Sequence, residues 1–433
     1  MVPPPDLEVT VFWSLCISSA LASPTAFVGA TVYPVSGPVI EDGTLLVEDG
    51  RILAVGPRDS VTIAEGVETV DLAGKHVVPG LVDTHSHVAA IGDLNDSAGP
   101  LLPNLSAIDA VDATHVSIQR AQAGGVTAAN IMPGSGNLMG GQTAYVKMRD
   151  ALTIDEMLFC DDRYEDVCGG MKMANGTNPQ RSAGSYPSTR MRAARLQRDL
   201  FDEAEKRRKA SGTPESSGKR KKDAPAAPQA PDPRLDPVVE ILEGERIVHF
   251  HTHRLDDIVT ALGMQEQYGF KLVLHHVTEA RKAAPLIADS DAWVSLIVID
   301  APGGKEEAVE LSLESASVLE QAGVSVSIHT DDPILDSRLF LRSGALAVRG
   351  GMSEDAALAA LTLKGAEMMG LEDRIGSLEE GKDADFVVLS GAPFSIYTSV
   401  LETWIDGQRV FDRSNPTDRA YAVGGDAVMG GAQ

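Results

Sequence analysis

The residue types best suited to chemistry in this chain are its histidines and the carboxylates spaced with them. Of ten histidines, eight (His85, His87, His249, His251, His253, His275, His276 and His329) fall at or just past the C-terminal ends of four apolar, strand-like runs. Residues two apart on a strand share a face. In Leu81 to His87 (LVDTHSH), Asp83, His85 and His87 therefore point the same way, and both imidazoles can reach one cation. A lone His-x-His is as readily structural, so its weight comes from its partners. In Arg246 to His253 (RIVHFHTH), His249, His251 and His253 share one face and Val248 and Phe250 the other; His251, at the end of the strand, is the favoured ligand. In Lys271 to Thr278 (KLVLHHVT), adjacent His275 and His276 must alternate. The expected inward set is Leu272, Leu274 and His276, with His275 packed behind. In Val324 to Pro333 (VSVSIHTDDP), Ser325, Ser327, His329 and Asp331 share the inner face, while Asp332 before Pro333 suits a helix N-cap.

Four strands each delivering an imidazole or a carboxylate, with no cysteine among them, specify a divalent cation with open positions, zinc first, in one or two ions. Such an ion draws the pKa of a bound water down towards ~7, which makes hydroxide available at neutral pH. The chemistry implied is metal-assisted hydrolysis.

The elements that must position these groups alternate. After GLVDTHSHV come a helical stretch near Val111 to Ala123, GVTAANIM, RIVHFHTH, LDDIVTALGMQEQYG, FKLVLHHV, AWVSLIVI, EEAVELSLESASVLEQAG and VSVSIHTDDP. Repeated β-then-α text implies parallel strands with crossover helices. Strands buried on both faces, in about eight such units, favour an α/β fold of the (β/α)8 TIM-barrel type over an open doubly wound sheet. Its catalytic groups would lie at the C-terminal ends of the strands. Short strands with Gly and Asp-Gly turns occupy Ala26 to Val78 and return at Ala384 to Gly391 and Leu401 to Asp412, so one small β domain is expected from both ends. The division reads 26–78 and 376–433 for the small domain and 79–375 for the barrel. A Lys-, Pro- and Ser-rich stretch at 203–237 breaks the pattern and reads as a flexible surface insertion.

Composition narrows the partners. The 433 residues carry a net charge of −25, and because Lys206 to Lys222 is basic, everything outside it is more acidic still. That field disfavours nucleic acid and leaves a small-molecule substrate, with a homo-oligomer open. Three cysteines are too few for a disulfide framework; Cys160 and Cys168 can pair or remain buried thiols. Residues 1–25 read as a signal peptide or an N-terminal extension. Val9 to Ala22 is apolar but shorter than the ~20 residues of a membrane span, and Asp6 and Glu8 precede it without a basic residue. Cytoplasmic and exported locations both stay open, and stable membrane insertion is not expected.

The motifs VVPGLVDTHSHV, AGGVTAANIMPGSGNLMGGQ, GMKMANGTNPQR, HFHTHRLDDIVTAL, LHHVTEA, HTDDP and the tail RIGSLEEGKDADFVVLSGAP resemble the amidohydrolase superfamily, and within it the imidazolonepropionase-like amidohydrolases, from about Ala26 to Gly425. The resemblance implies a distorted (β/α)8 barrel with a β-sandwich-like domain from both termini. It makes His85, His87, His251 and His276 metal ligands, and Asp331 both a ligand and the proton shuttle. Binuclear relatives add a carboxylated bridging lysine, for which Lys172 is the candidate by position and Lys147 a rival; a mononuclear site needs neither. One of His253, His275 or His329 would then hydrogen-bond the developing oxyanion. Arg190 would meet either an anionic substrate group or, more simply, a surface carboxylate. The implied activity is hydrolysis of a non-peptide carbon–nitrogen bond in an amide or cyclic amide. A dipeptidase or prolidase-like peptidase and a heterocycle deaminase are the alternatives on the same scaffold. A scaffold that had lost its activity would be expected to lose Asp331 or the histidine pair, and both are present.

Overall fold

The computed structural model describes residues 24–90, 92, 94–182, 184–210, 230–299 and 304–425. The leader-like segment Val9 to Ala22 lies outside them. No described helix is long and apolar enough to cross a membrane.

The two ends of the chain meet in an eight-stranded sheet. Its order is Gln408–Asp412, Val400–Ile405, Phe386–Leu389, His76–Pro79, Thr25–Val32, Ile40–Glu48 and Arg51–Pro57, with Glu68–Asp71 also paired to Thr25–Val32. The antiparallel pair Val387↔Val78 joins the N-terminal and C-terminal portions. Phe27 packs edge-on to Phe386 and Trp404, with ring centroids 4.9 and 5.0 Å apart, at the centre of this sheet's core. Asp406-Gly407 forms the tip of the last hairpin, both residues at positive φ, as an Asp-Gly turn requires.

The middle of the chain builds two further sheets. In one, Met171–Ala174, Val248–Thr252, Leu272–His276, Trp293–Ile297 and Val326–His329 run parallel, with Met139–Gln142 antiparallel at the edge. In the other, Leu81–Ser86 pairs parallel to Val126–Ile131, which pairs antiparallel to Ala144–Lys147. Helices Leu255–Tyr268, Ala280–Ala288 and Ser315–Gln321 alternate with the parallel strands.

Among the described residues the expected closed cylinder is two open sheets meeting edge to edge. The reason at one seam is local: the Asp83 carboxylate takes the Thr330 N–H (3.0 Å) and hydroxyl (2.5 Å), so a side chain replaces the ladder acceptor. Beyond it, the backbone bonds Asp331 N–H to His85 C=O (2.9 Å) and His87 N–H to Asp332 C=O (3.2 Å) cross the gap. The expected insertion is also narrower than 203–237. Helix Arg190–Ala210 runs through its first part, because buried Ala193, Gln197, Leu200, Phe201 and Ala204 continue an i, i+3/i+4 stripe into the charged text. Helix Asp236–Glu243 takes the other end, and residues 211–229 lie outside the described set. Cys160 and Cys168 are joined as a disulfide.

The two faces of the parallel strands differ. Val248, Phe250, Leu272, Leu274, Val294, Leu296, Val326 and Ile328 pack with helix residues Ile258, Met264, Ile287 and Leu319, each burial contributing roughly 1.5–3 kcal/mol. On the opposite face sit Lys172, His249, His251, His275, Ser295, Ser327 and His329, all buried. Burying so many polar groups costs several kcal/mol unless they pair with one another, which makes this face the place to look for chemistry.

Candidate metal centre

Leu81–Ser86 delivers His85 from its end and His87 just beyond. The His87 Nδ1–H donates to the Met132 carbonyl (2.8 Å), which fixes the tautomer and leaves Nε2 free, 3.1 Å from Asp331 Oδ1. His85 Nε2 lies 3.4 Å from the same carboxylate oxygen and 3.0 Å from Lys172 Nζ. Ligand atoms of His85, His87 and Asp331 fall within 4.8 Å of one another. His276 stands 5.0 Å from His85 and 4.4 Å from His251, measured between ring centroids. The six residues expected to hold a cation, His85, His87, Lys172, His251, His276 and Asp331, are thus neighbours, while ligand atoms fall in separate groups, His85 with His87 and Asp331, and His251 with His253 and Glu307.

Electrostatics suit a cation. Burial alone would raise the Asp331 carboxyl, but His87, facing it, and nearby His329 and Lys172 hold it below its ordinary value, ionised. Burial drives the Lys172 ammonium down to about 7, against the pull of Asp331. His85 and His276 are pushed well below the usual imidazole range, first by burial and then by neighbouring positive groups, so both imidazoles are neutral. The buried Nε2 of His276 has no hydrogen-bond partner. An orphaned imidazole nitrogen in a buried histidine cluster fits a divalent ion.

Strand alternation misplaces one pair. Leu272 and Leu274 face the helices, and His275 faces inward, its Nδ1 3.3 Å from His85 Nδ1. His276 and Val277 adopt φ of 71° and 43°, and this left-handed step at the strand end turns His276 inward as well. Adjacent histidines thus share one side because the backbone leaves the extended conformation at His276.

The rival lysine goes elsewhere. Lys147 is bound by Asp383 (2.7 Å), Asp385 (3.1 Å) and Asp406. Arg190 pairs with Asp257 (2.9 Å) and Glu307 (3.4 Å), the carboxylate option. Asp332, expected as an N-cap, is a buried acceptor for Arg120 (3.1 Å) and for the Ser337 N–H (2.9 Å). The sequence reading missed several groups around the cluster. Ser295 Oγ lies 2.7 Å from His329 Nδ1, whose Nε2 is 3.2 Å from His276. Asn178 Nδ2 is 3.3 Å from His251 Nε2, and Lys305 reaches Asn178 Oδ1 at 3.1 Å. Glu307 stands close to His251 and His253. Its position after Trp293–Ile297, one strand before Asp331, was the available signal.

Comparison with known proteins agrees with this geometry. Residues 274–411 match the amidohydrolase family. A solved amidohydrolase from Thermotoga maritima MSB8 is 34% identical, with 90% of this chain and 100% of that chain covered at a TM-score of 0.79. Amidohydrolase tasK of Hapsidospora irregularis is 26% identical over 396 residues, 86% of this chain but only 40% of that protein's length. Imidazolonepropionase of Pseudomonas putida GB-1 is 25% identical over 422 residues, covering 89% of this chain and 92% of that protein. These neighbours imply a TIM-barrel-like α/β fold with a separate sheet domain.

Proposed function

The chain belongs to the amidohydrolase superfamily and is imidazolonepropionase-like, and on that premise we propose that it is a metal-dependent hydrolase of a non-peptide carbon–nitrogen bond in a small amide or cyclic amide. The observation that carries this reading is the convergence of His85 Nε2 and His87 Nε2 on Asp331 Oδ1, with His87 held in its ligand tautomer by Met132. His85, His87, Lys172, His251, His276 and Asp331 would hold one or two divalent ions, zinc first. Such an ion would supply Lewis acidity, polarising the scissile carbonyl and acidifying water.

The chain's own groups do the remaining work. Asp331, ionised and reachable from solvent, accepts the proton of the attacking water and passes it to the leaving nitrogen. Lys172, with its amine near neutrality at about 7, could add to carbon dioxide with release of one proton, and the carbamate so formed would supply a further anionic oxygen ligand for the ions. Of the three histidines considered for the oxyanion, His275 and His329 have both ring nitrogens engaged. His253 has Nδ1 2.7 Å from Thr278 Oγ1 and Nε2 unpartnered, so it is the donor of choice.

The test is metal analysis of the purified protein followed by N-acyl amino acids, dipeptides and cyclic amides, each with and without chelator. Chelator-sensitive opening of a cyclic or N-acyl amide is the expected result. Ammonia release would replace it with a heterocycle deaminase, and dipeptide cleavage with a peptidase. Asp331→Asn should lower turnover by about 10²–10⁴-fold while keeping the melting temperature and most of the metal. Normal turnover in that variant would remove Asp331 from the proton path.

A further inference from the structure

Behind the cluster, away from Asp331, runs a line of buried rings that the reaction does not use. His85 Nδ1 lies 3.3 Å from His275 Nδ1, His275 Nε2 lies 2.9 Å from His249 Nδ1, and His249 Nε2 lies 2.8 Å from the Tyr145 hydroxyl. His85 is 1%, His275 and His249 0%, and Tyr145 7% exposed. Strands Leu81–Ser86, Leu272–His276, Val248–Thr252 and Ala144–Lys147 each contribute one member. The line has been given room: a Cβ at Gly170 would lie 2.3 Å from His249 Cδ2, so only glycine lets His249 occupy this position.

We propose that Tyr145, His249 and His275 form a one-directional hydrogen-bond relay that fixes the tautomer and orientation of His85 as a metal ligand. This rests on the hydrolase reading above, and it adds positioning residues to it. The argument is proton bookkeeping on neutral rings. An imidazole that offers Nε2 to a cation carries its proton on Nδ1. The His85 Nδ1–H must then donate to His275 Nδ1, which places the His275 proton on Nε2. That proton donates to His249 Nδ1, which places the His249 proton on Nε2, and this last N–H donates to the Tyr145 oxygen. Each link permits one direction. The reversed chain, started by the tyrosine O–H, ends with a proton on His85 Nε2 and closes it as a ligand. The relay thus has two states, and a bound cation selects one of them.

The experiment measures cobalt(II) binding to the apoprotein by d–d absorption against a competing chelator, with apoprotein melting as the fold control. His275→Leu is expected to weaken binding about 10–100-fold, as for other groups that orient a metal-bound histidine. His249→Leu should weaken it less, and Tyr145→Phe a few-fold without lowering the melting temperature. His275→Gln, which restores an acceptor for His85, should recover part of the loss. Packing alone predicts another order, in which isosteric Tyr145→Phe changes nothing and His275→Gln behaves as His275→Leu. Parent-like affinity and spectrum in Tyr145→Phe and His275→Gln together with His249→Leu would overturn the relay. Should His275→Leu not fold, those three variants still decide. A parent protein that binds no divalent ion overturns the hydrolase reading itself, a result distinct from unaltered affinity in the variants.

Discussion

Two lysines, Lys147 and Lys172, are fully buried in this chain and have opposite surroundings. Lys172 faces His85 and the Met132 sulfur, both at 3.0 Å, with no carboxylate hydrogen-bonded to it. Lys147 sits among Asp383, Asp385 and Asp406. Those aspartates belong to the small sheet and its approach, so Lys147 ties that sheet to the Ala144–Lys147 strand. Arg374 adds to Asp383 at 3.0 Å and Arg149 to Asp406 at 2.7 Å. A buried ammonium needs a counter-charge to remain charged, and Lys147 has three. Lys172 has only the pull of Asp331, which burial outweighs, and yields its proton near neutral pH, which makes it a candidate for chemistry instead of anchoring.

Replacing Lys172 is the sharpest way to break this contrast. Lys172→Met should reduce metal-dependent turnover by at least about 100-fold, more than is usual for groups one step removed from a metal. The metal-free protein should melt at or above the parent temperature, because a poorly compensated buried amine is exchanged for an apolar side chain of similar length. A fall in apoprotein stability with turnover intact would show that Lys172, too, is an anchor.

Lys147→Met should do the reverse. Removing one partner of a buried ion cluster costs about 3–5 kcal/mol, here by leaving Asp385 without a cationic partner and Asp383 and Asp406 with arginines alone. Denaturant unfolding should register that loss, while turnover per folded molecule and metal content stay near the parent. Loss of metal with stability preserved would move Lys147 into the site and undo the assignment of both lysines.

Sequence spacing reaches some of this and not the rest. His85, His87 and Asp331 are legible because a strand's two-residue period, the run that ends in each, and the chemistry of the side chains all agree. The Asp-Gly hairpin at Asp406 is legible because its φ values demand that dipeptide. GMKM and YVKM, in contrast, are equivalent as strings: each puts a lysine among apolar residues. What separates Lys172 from Lys147 is which distant groups fold onto it, residues 383, 385 and 406 in one case and residue 85 in the other. His275 was lost for a different reason. Alternation holds only while the backbone stays extended, and φ of 71° at His276 ends it one residue early. The strand ladder is interrupted at Asp83 similarly, since a side-chain carboxylate substituting for a backbone acceptor leaves no mark in hydrophobic periodicity.

The smallest expected effect tests the inside of the Lys147 cluster. Burial first, and then repulsion from Asp406, raises the Asp385 carboxyl to about 6, although Lys147 opposes both. An unfolded aspartate titrates near ~3.9. Between about pH 4 and 6 the folded chain therefore keeps a proton that the unfolded chain has shed. This group's contribution to stability is complete below that window and is lost as pH rises through it. Asp385→Asn cannot titrate, yet its amide oxygen can still accept the Asp406 N–H, a bond of 2.8 Å in the parent. Melting of the metal-free proteins at a series of pH values should show the variant gaining on the parent from about pH 4 to 6 and a constant difference above about pH 7. A difference independent of pH would mean that Asp385 stays ionised throughout, held by Lys147.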